Sequence, residues 1–274
     1  NADWPTPVAG FCSGPFEKIM NAVFELWAEV LPERAMACTF NLEYLLIGGR
    51  DLRHEGKPYF MWYDWMVGGW GARNGRDGWA ATGPVFGVQL GTQPFEGQER
   101  LSPVLTTGHE LLVDSGGPGE FRGGMGVEKG GTLYACERTV VSYCCDRERS
   151  VTWGLWGGLP SNPHGVWVNP GAENERYLGS LFSGVPLEQG DTVTRPSAGG
   201  GGLGDPLSRD INSVLEDVTE GYVSVERAKT DYGVVINEID ADLAKFEVDV
   251  DETEKHRLFI AENRHAWLEE DAAS

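Results

Sequence analysis

Basic side chains that stand beside glycines are the first candidates for chemistry in this sequence. Arg73 follows a Gly-Gly-Trp-Gly-Ala stretch at 68–72, and His109 follows Gly108. An arginine in such a loop can bind a carboxylate or a phosphate, or it can tie two loops together through backbone carbonyls. For His109 the alternative is a structural or surface role. No residue is assigned a catalytic role, and the predicted substrate-binding residues are Trp70, Gly71, Arg73 and His109.

Residue types that bind metals are scattered along the chain. No two cysteines have the Cys-x-x-Cys spacing and no two histidines the His-x-x-x-His spacing, so we predict no metal site in this chain. Cys144 and Cys145 are adjacent, and on an extended segment their side chains point to opposite faces. We expect the thiols to be reduced. The residues concerned are Cys12, Cys38, Cys136, Cys144, Cys145, His54, His109, His164, His256 and His265.

Three glycine-rich stretches, at 68–73, 114–124 and 197–206, are the most conspicuous feature of the chain. None has the Gly-Lys-Ser or Gly-Lys-Thr end of a P-loop, and Asp205-Pro206 follows the last stretch where a dinucleotide-binding loop needs a helix. No Gly-x-Ser-x-Gly elbow of a serine hydrolase occurs either. We interpret the stretches as tight turns that allow close backbone approach at a subunit boundary or a shared cavity.

The pattern of apolar residues predicts an α+β protein. Helical spacing from Phe16 to Leu31 predicts an amphipathic helix whose apolar stripe packs into a core. Short apolar runs bounded by turn residues predict strands of a sandwich or barrel-like core. Asp210, Ser224 and Thr253 are placed to cap helices in the last part of the chain. The predicted strands are 59–63, 111–113, 132–136, 140–144 and 166–168.

Two regions differ in composition. Residues 1–206 are predicted to form the β-rich core, and 207–274 a helical, acidic C-terminal extension. From Asp210 to Ser274 the chain has 18 acidic and 6 basic residues, within a net charge of −20 for all 274 residues. Such a charge disfavours nucleic acids and anionic membrane surfaces as partners. No apolar run reaches the roughly 18 residues of a membrane span, and we expect a cytoplasmic protein.

Six motifs in order resemble the hydantoinase B family, which includes part of 5-oxoprolinase and subunits of acetone and acetophenone carboxylases. The Gly-Gly-Trp-Gly-Ala loop and a Ser-Gly-Gly-x-Gly-x-x-Arg-Gly-Gly-x-Gly signature are the most specific. The motifs lie at 1–7, 68–78, 114–126, 153–158, 199–206 and 231–235. The resemblance covers the C-terminal half of a family member and implies that this chain is a split subunit or a fragment of a larger unit.

The resemblance also implies partners and cofactors. A hydantoinase A-type subunit would bind ATP and Mg²⁺ and phosphorylate a carbonyl-derived oxygen. A divalent metal would lie in the N-terminal half of the hydantoinase B unit or in a partner, and this chain alone would be inactive. The favoured function is a subunit of an ATP-dependent ketone carboxylase of the acetone or acetophenone type. The alternatives are a subunit of a cyclic amide hydrolase of the hydantoinase or 5-oxoprolinase type, and a purely structural subunit. The small-molecule substrate would be a ketone or a cyclic amide.

Overall fold

The computed structural model describes residues 15–85, 92–240 and 243–263. They form an α+β fold, as predicted. The helices are α1 (Glu17–Val30), α2 (Phe95–Leu101), α3 (Ile211–Thr219), α4 (Val225–Tyr232) and α5 (Val250–Glu262). The strands are β1 (Tyr44–Asp51), β2 (Tyr59–Asp64), β3 (Val104–Leu111), β4 (Val127–Leu133), β5 (Cys136–Cys144), β6 (Val166–Val168), β7 (Arg176–Gly179), β8 (Leu181–Leu187), β9 (Thr192–Pro196), β10 (Ile236–Asp240) and β11 (Lys245–Val248). Within the described ranges no helix is long and apolar enough to cross a membrane.

Two antiparallel sheets enclose the main core. One has the strand order β2-β1-β5-β8 and the other β3-β4-β9-β6-β7. Alternate residues of β1 and β2 face inward; on β1, Leu45 and Ile47 are buried and Leu46 is exposed. One apolar cluster contains residues of both sheets, including Trp62 from β2 and Val193 from β9. The arrangement is therefore a β-sandwich.

The predicted strands 59–63, 140–144 and 166–168 lie on β2, β5 and β6. The predicted strand 132–136 is wrong as a single element. The chain passes from one sheet to the other at this point, and Ala135 has a φ of 43° between β4 and β5. The predicted strand 111–113 has only Leu111 in β3.

The glycines at 199–202 lie at the centre of a bundle of extended segments. A Cβ on Gly200 would stand 1.9 Å from the carbonyl oxygen of Trp70, and one on Gly202 would stand 1.9 Å from that of Pro118. Backbone amides and carbonyls close the bundle, because Gly200 N donates to Gly124 O and Gly201 N to Cys38 O, each at 2.8 Å. Backbone amides of the surrounding segments in turn donate hydrogen bonds to the carbonyl oxygens of Gly200, Gly201 and Gly202.

This bundle corrects the interpretation of the glycines as tight turns. None of the residues 199–202 has a positive φ, so they are not glycine for the sake of a turn. They are glycine because backbone touches backbone within this chain, which leaves no room for a side chain. The expectation of close approach was right, and the surfaces that approach belong to one chain.

Helix α1 contradicts the prediction that its apolar stripe is buried. Ile19, Leu26 and Trp27 are each more than half exposed. The buried face is the opposite, polar one, since Asn21 Oδ1 accepts hydrogen bonds from Thr39 N at 2.8 Å and Thr39 Oγ1 at 3.1 Å. Glu17 on the same face accepts the amide of Leu42 at 2.5 Å. The helix is therefore held by hydrogen bonds to an extended segment and by Ala28, which packs in an apolar cluster with Ala35, Ala72 and Leu203.

The C-terminal region has a core of its own. Side chains of α3, α4, β10 and the segments between them form a separate apolar cluster. Asp210 and Ser224 cap α3 and α4 as predicted, and Gly233 ends α4 with a φ of 66°. The sequence predicts a helical extension with a strand or extended exit at 234–236, and the structure has the β10–β11 hairpin, which begins at Ile236. The last helix is capped by Asp249, not by Thr253. The sequence also places Leu258, Ala261, His265 and Leu268 on one face of that helix, and the last two of these lie outside the described residues.

Buried ion pairs join this region to the glycine loops. Arg209 donates to both carboxylate oxygens of Asp77, at 2.7 and 2.8 Å, and to Asp217 at 2.7 Å. Arg122 donates to the other oxygen of Asp217 at 3.1 Å, so its guanidinium joins the loop to the C-terminal region through a carboxylate. The division of the chain at 206/207 stays a prediction.

We expect Gly200→Ala to destabilise the fold by at least about 4 kcal/mol, because its Cβ would collide with a carbonyl that cannot move independently. Urea unfolding of the purified chain measures the loss. Gly97→Ala in α2 is the matched control, since a Cβ there meets no atom within 4 Å, and the helix should gain about 0.5–1 kcal/mol. Equal stability of the two variants would contradict the packing argument.

Asp77→Asn should cost about 1 kcal/mol at pH 7, because the amide accepts only part of the Arg209 fork. Burial would raise the pKa of Asp77, but Arg209 and Arg122 together lower it. A carboxylate with a lowered folded pKa stabilises the fold above the unfolded value of about 3.9 and loses that contribution as the pH falls. The difference in free energy of unfolding between the parent protein and Asp77→Asn should therefore shrink below about pH 4. The exposed Glu173→Gln serves as the control, and a difference that is independent of pH would contradict the account.

Candidate functional site

Three neighbouring strands of the five-stranded sheet carry ionisable side chains in one row. The register pairs His109 of β3 with Lys129 of β4, and Lys129 with Arg195 of β9. Lys129 and Arg195 are 1% exposed, whereas His109 is only partly buried. The row therefore leads from the edge of the sandwich to its interior.

Asp64, the last residue of β2 in the other sheet, holds the inner part of this row. Its Oδ2 lies 2.8 Å from Lys129 Nζ and 2.5 Å from Arg195 Nη2. Gln98 of α2 completes the set, donating to Asp64 at 3.3 Å and accepting from Lys129 at 3.3 Å. Burial lowers the pKa of Lys129, and Asp64 opposes this shift. The buried ions are thus paired and hydrogen-bonded, as low-dielectric surroundings require.

Glu43 lies beyond Arg195 and is fully buried, with its Oε1 3.9 Å from Arg195 Nη1. Neither of its carboxylate oxygens has a hydrogen-bond partner among the described residues. Burial raises the pKa of Glu43 to about 7, and Arg195 opposes the rise. When Glu43 is ionised, two carboxylates balance the two cations Lys129 and Arg195; when it is protonated, the cluster carries an excess positive charge.

A cysteine and a histidine complete the inner end of the site. The β1–β5 register pairs Tyr44 with Cys144, so Glu43 and Cys145 follow as neighbours just outside the two strands. Cys145 Sγ is in hydrogen-bond contact with His164 Nε2, and His164 Nδ1 lies 3.9 Å from Glu43 Oε2. One ligand atom from each of the three residues lies within 4.8 Å of the others, and all three side chains are buried.

Burial sets the protonation of this inner group. It lowers the pKa of His164 to about 3 and holds the pKa of the Cys145 thiol well above its usual value. At neutral pH the group is therefore a thiol, a neutral imidazole and a carboxyl group that is close to its titration midpoint.

His109 faces a small cleft at the outer end of the row. The cleft has a volume of about 140 Å³. The imidazole packs edge-on against Phe95 at 5.5 Å, and Lys129 Nζ lies 5.3 Å from the same ring. Burial and the charge of Lys129 lower the pKa of His109, so its imidazole is neutral at pH 7 and can accept a proton. The residues lining the cleft are Thr107, Gly108, His109, Glu110, Glu128, Gly130 and Thr194.

The other predicted binding residues lie in the loop after β2. The guanidinium of Arg73 stands 4.4 Å from the ring centre of Trp79 and 5.4 Å from that of Trp70. Trp70 Nε1 donates to Gly83 O at 2.7 Å. Gly71 lies against the backbone, because a Cβ there would stand 1.9 Å from Ala37 O. Packing thus accounts for Gly71, while Arg73 and the half-exposed Trp79 present a cation and a ring to solvent.

The predicted residues fall into two groups in the structure. Among the described contacts, none joins His109 to the Trp70–Arg73 loop. Binding of substrate by these residues stays a prediction. Sequence analysis did not select the inner residues, although Asp64, Lys129 and Arg195 each carried a signal: a charged residue at an inward position of an alternating strand. The residues missed are Glu43, Asp64, Lys129, Cys145, His164 and Arg195.

Comparison with known proteins places these features in a family. The model of the hydantoinase B/oxoprolinase family matches residues 1–206. The beta subunit of caprolactamase from Pseudomonas jessenii is 33% identical over 245 residues, covering 86% of this chain and 42% of its own length. The alpha subunit of acetone carboxylase from Xanthobacter autotrophicus is 25% identical, covering 74% of this chain and 30% of its own length.

A solved structure supports the same relationship. The crystal structure of the ATP-dependent caprolactamase from Pseudomonas jessenii superimposes with a TM-score of 0.76 and 29% identity, covering 94% of this chain and 44% of the other. The chain thus spans less than half the length of each of these relatives. The motifs, the fold and the matched length agree, and the chain belongs to the hydantoinase B/oxoprolinase family.

Proposed function

We propose that this chain is a subunit of an ATP-dependent enzyme that hydrolyses a cyclic amide. The likeness to the caprolactamase beta subunit carries the proposal, at 33% identity in sequence and a TM-score of 0.76 in structure. The sequence analysis favoured ketone carboxylation because the motifs pointed to a divided enzyme. A lactam hydrolase with separate subunits fits that division equally well, so we now give hydrolysis the first place.

The proposal assigns ATP to another subunit. The glycine stretches of this chain are filled by their own backbone and leave no cradle for phosphates at 199–202. A hydantoinase A-type partner would bind ATP and Mg²⁺ and phosphorylate the amide oxygen. An amide is a poor electrophile, and phosphorylation of its oxygen makes the carbonyl carbon open to attack by water. This chain would then contribute to the site where the activated amide is opened.

The His109 cleft is the part of this chain that suits such a role. A neutral imidazole beside a buried lysine can take a proton from water, and a lowered pKa keeps it unprotonated at neutral pH. The loop of Trp70 and Arg73 offers a ring and a cation to a substrate at a second place on the surface. We thus propose His109 for proton transfer and the loop of Trp70 and Arg73 for substrate binding.

An apolar surface on the four-stranded sheet is a candidate docking face for the N-terminal part of the hydantoinase B unit. Tyr59 and Met61 of β2 and Leu181 of β8 are 76%, 67% and 76% exposed on the outer face of that sheet. Relatives of this chain are more than twice its matched length. We propose that polypeptide equivalent to the N-terminal part of those relatives packs against the chain and completes the hydantoinase B unit, including any catalytic metal.

Ketone carboxylation is the second candidate, because the acetone carboxylase alpha subunit matches 74% of this chain. A purely structural subunit is the third. It is favoured by the burial of Cys145, the thiol that contacts a histidine.

Reconstitution separates these functions. The chain is combined with the N-terminal part of its hydantoinase B unit and the hydantoinase A-type partner, and ATP hydrolysis is followed with lactams and hydantoins, and separately with ketone plus bicarbonate. We expect ATP turnover coupled to ring opening of a cyclic amide. Turnover with ketone and bicarbonate alone would overturn the proposal in favour of carboxylation.

His109→Gln should lower kcat/KM of the reconstituted enzyme at least about tenfold, because glutamine keeps a polar side chain but cannot accept a proton near pH 7. In the pH–activity profile of the parent enzyme, activity should fall only below about pH 6.5, since burial and Lys129 lower the pKa of His109. His54→Gln, whose side chain is 61% exposed, is the control. Unchanged turnover in both variants with intact assembly would favour the structural subunit.

A further inference from the structure

The inner group of Glu43, Cys145 and His164 joins three segments that are far apart in sequence. Glu43 directly precedes β1, Cys145 directly follows β5, and His164 stands two residues before β6. Their side chains are 0%, 3% and 2% exposed in that order. Carboxylate oxygen, thiolate sulfur and imidazole nitrogen are the atoms by which proteins hold zinc.

We propose that Glu43, Cys145 and His164 bind a zinc ion that ties β1, β5 and β6 together. The convergence of one ligand atom from each residue to within 4.8 Å carries the proposal. The sequence did not predict this site, because the spacing of residues 43, 145 and 164 matches no metal-binding pattern.

Unpartnered polar atoms provide an independent argument. Both carboxylate oxygens of Glu43 and Nδ1 of His164 are buried without a hydrogen-bond partner in the described part of the chain. A buried polar group without a partner destabilises a fold, and native proteins rarely leave three such atoms side by side. A cation bound between Glu43 and His164 removes that penalty.

The charges are compatible with a divalent ion. Zinc with one thiolate, one carboxylate and one neutral imidazole forms an electrically neutral group. Asp64 pairs with both Lys129 and Arg195, so with Glu43 committed to the ion the row of Lys129, Arg195 and Asp64 keeps one excess positive charge. Binding would replace the thiol proton and the carboxyl proton, so affinity should rise with pH.

The geometry requires a small movement. Tetrahedral bonds of about 2.3 Å to sulfur and about 2.0 Å to nitrogen place these two ligand atoms roughly 3.5 Å apart. An imidazole gives one nitrogen to one ion, and His164 would give Nδ1, which lies 3.9 Å from Glu43 Oε2. Cys145 Sγ contacts Nε2 instead, so a change in the side-chain torsions of Cys145 has to bring the sulfur towards Nδ1. The closed surroundings suit an ion acquired during folding and retained afterwards, with the fourth position taken by water or a backbone carbonyl.

The test measures zinc in the full chain purified from medium that contains zinc. We expect about one tightly held ion per chain, loss of that ion in Cys145→Ser and His164→Asn, and a fall in Tm when a strong chelator removes it. Cys144→Ser is the matched control: it changes the neighbouring thiol, which is outside the group, and should keep the ion. A site formed by Cys12 or His265 would keep zinc in all three variants and would overturn the proposal.

A second measurement uses the parent chain alone, so it remains informative if the variants fail to fold. The parent chain, refolded with Co²⁺ in place of zinc, should show the near-ultraviolet charge-transfer band of a thiolate–cobalt bond and release between about one and two protons per ion at pH 7. Absence of this band in the folded chain, or absence of bound metal in the parent protein, would also overturn the proposal. Because neither readout depends on turnover, the zinc site and the proposed enzyme function fail or succeed separately.

Discussion

Contact between backbones around residues 199–202 is the constraint on which the rest of the structure depends. Ordinary cores are filled by side chains that can repack around a change. Here carbonyl groups of Trp70, Ser115, Pro118 and Trp153 lie within 2.0 Å of where a Cβ would stand. Hydrogen bonds from the same segments leave no freedom to move apart. Specificity in this part of the molecule therefore comes from the absence of side chains, which explains why glycines are concentrated in the three stretches at 68–73, 114–124 and 197–206.

The glycine bundle also fixes the inner site. Gly201 N donates to Cys38 O at 2.8 Å, which aligns the extended segment that leads to Glu43. On its other side this segment is held by Arg147, whose Nη2 donates to Thr39 O at 3.0 Å and to Asn41 Oδ1 at 2.8 Å. Glu43 therefore enters the sandwich at a defined place and depth. Backbone and polar contacts thus help to set the position of a buried carboxyl group.

Sequence predicted the local features of this fold and missed the features that depend on register. Caps at Asp210 and Ser224 are right because a cap acts on amides two or three residues away. The apolar stripe of α1 was assigned to the core by periodicity, but periodicity does not reveal that Asn21 has a better partner in Thr39. The inner site was missed for the same reason. Glu43 meets Cys145 because β1 pairs with β5, and this pairing joins residues that are 102 positions apart in sequence (145 − 43), which no local pattern encodes.

The inner group and the outer cleft share one set of charges. Arg195 lies between them, 3.9 Å from Glu43 and 2.5 Å from Asp64, and its charge acts on His109 together with that of Lys129. Protonation of Glu43 leaves Arg195 balanced by Asp64 alone, whereas an ionised Glu43 offsets part of its charge. Because the pKa of Glu43 is about 7, this change falls in the range where the cell operates. A cation on Glu43 would hold the carboxyl group ionised and would compensate its charge locally. The charge beside Arg195 would then no longer change with pH, and Arg195 is one of the charges that act on His109.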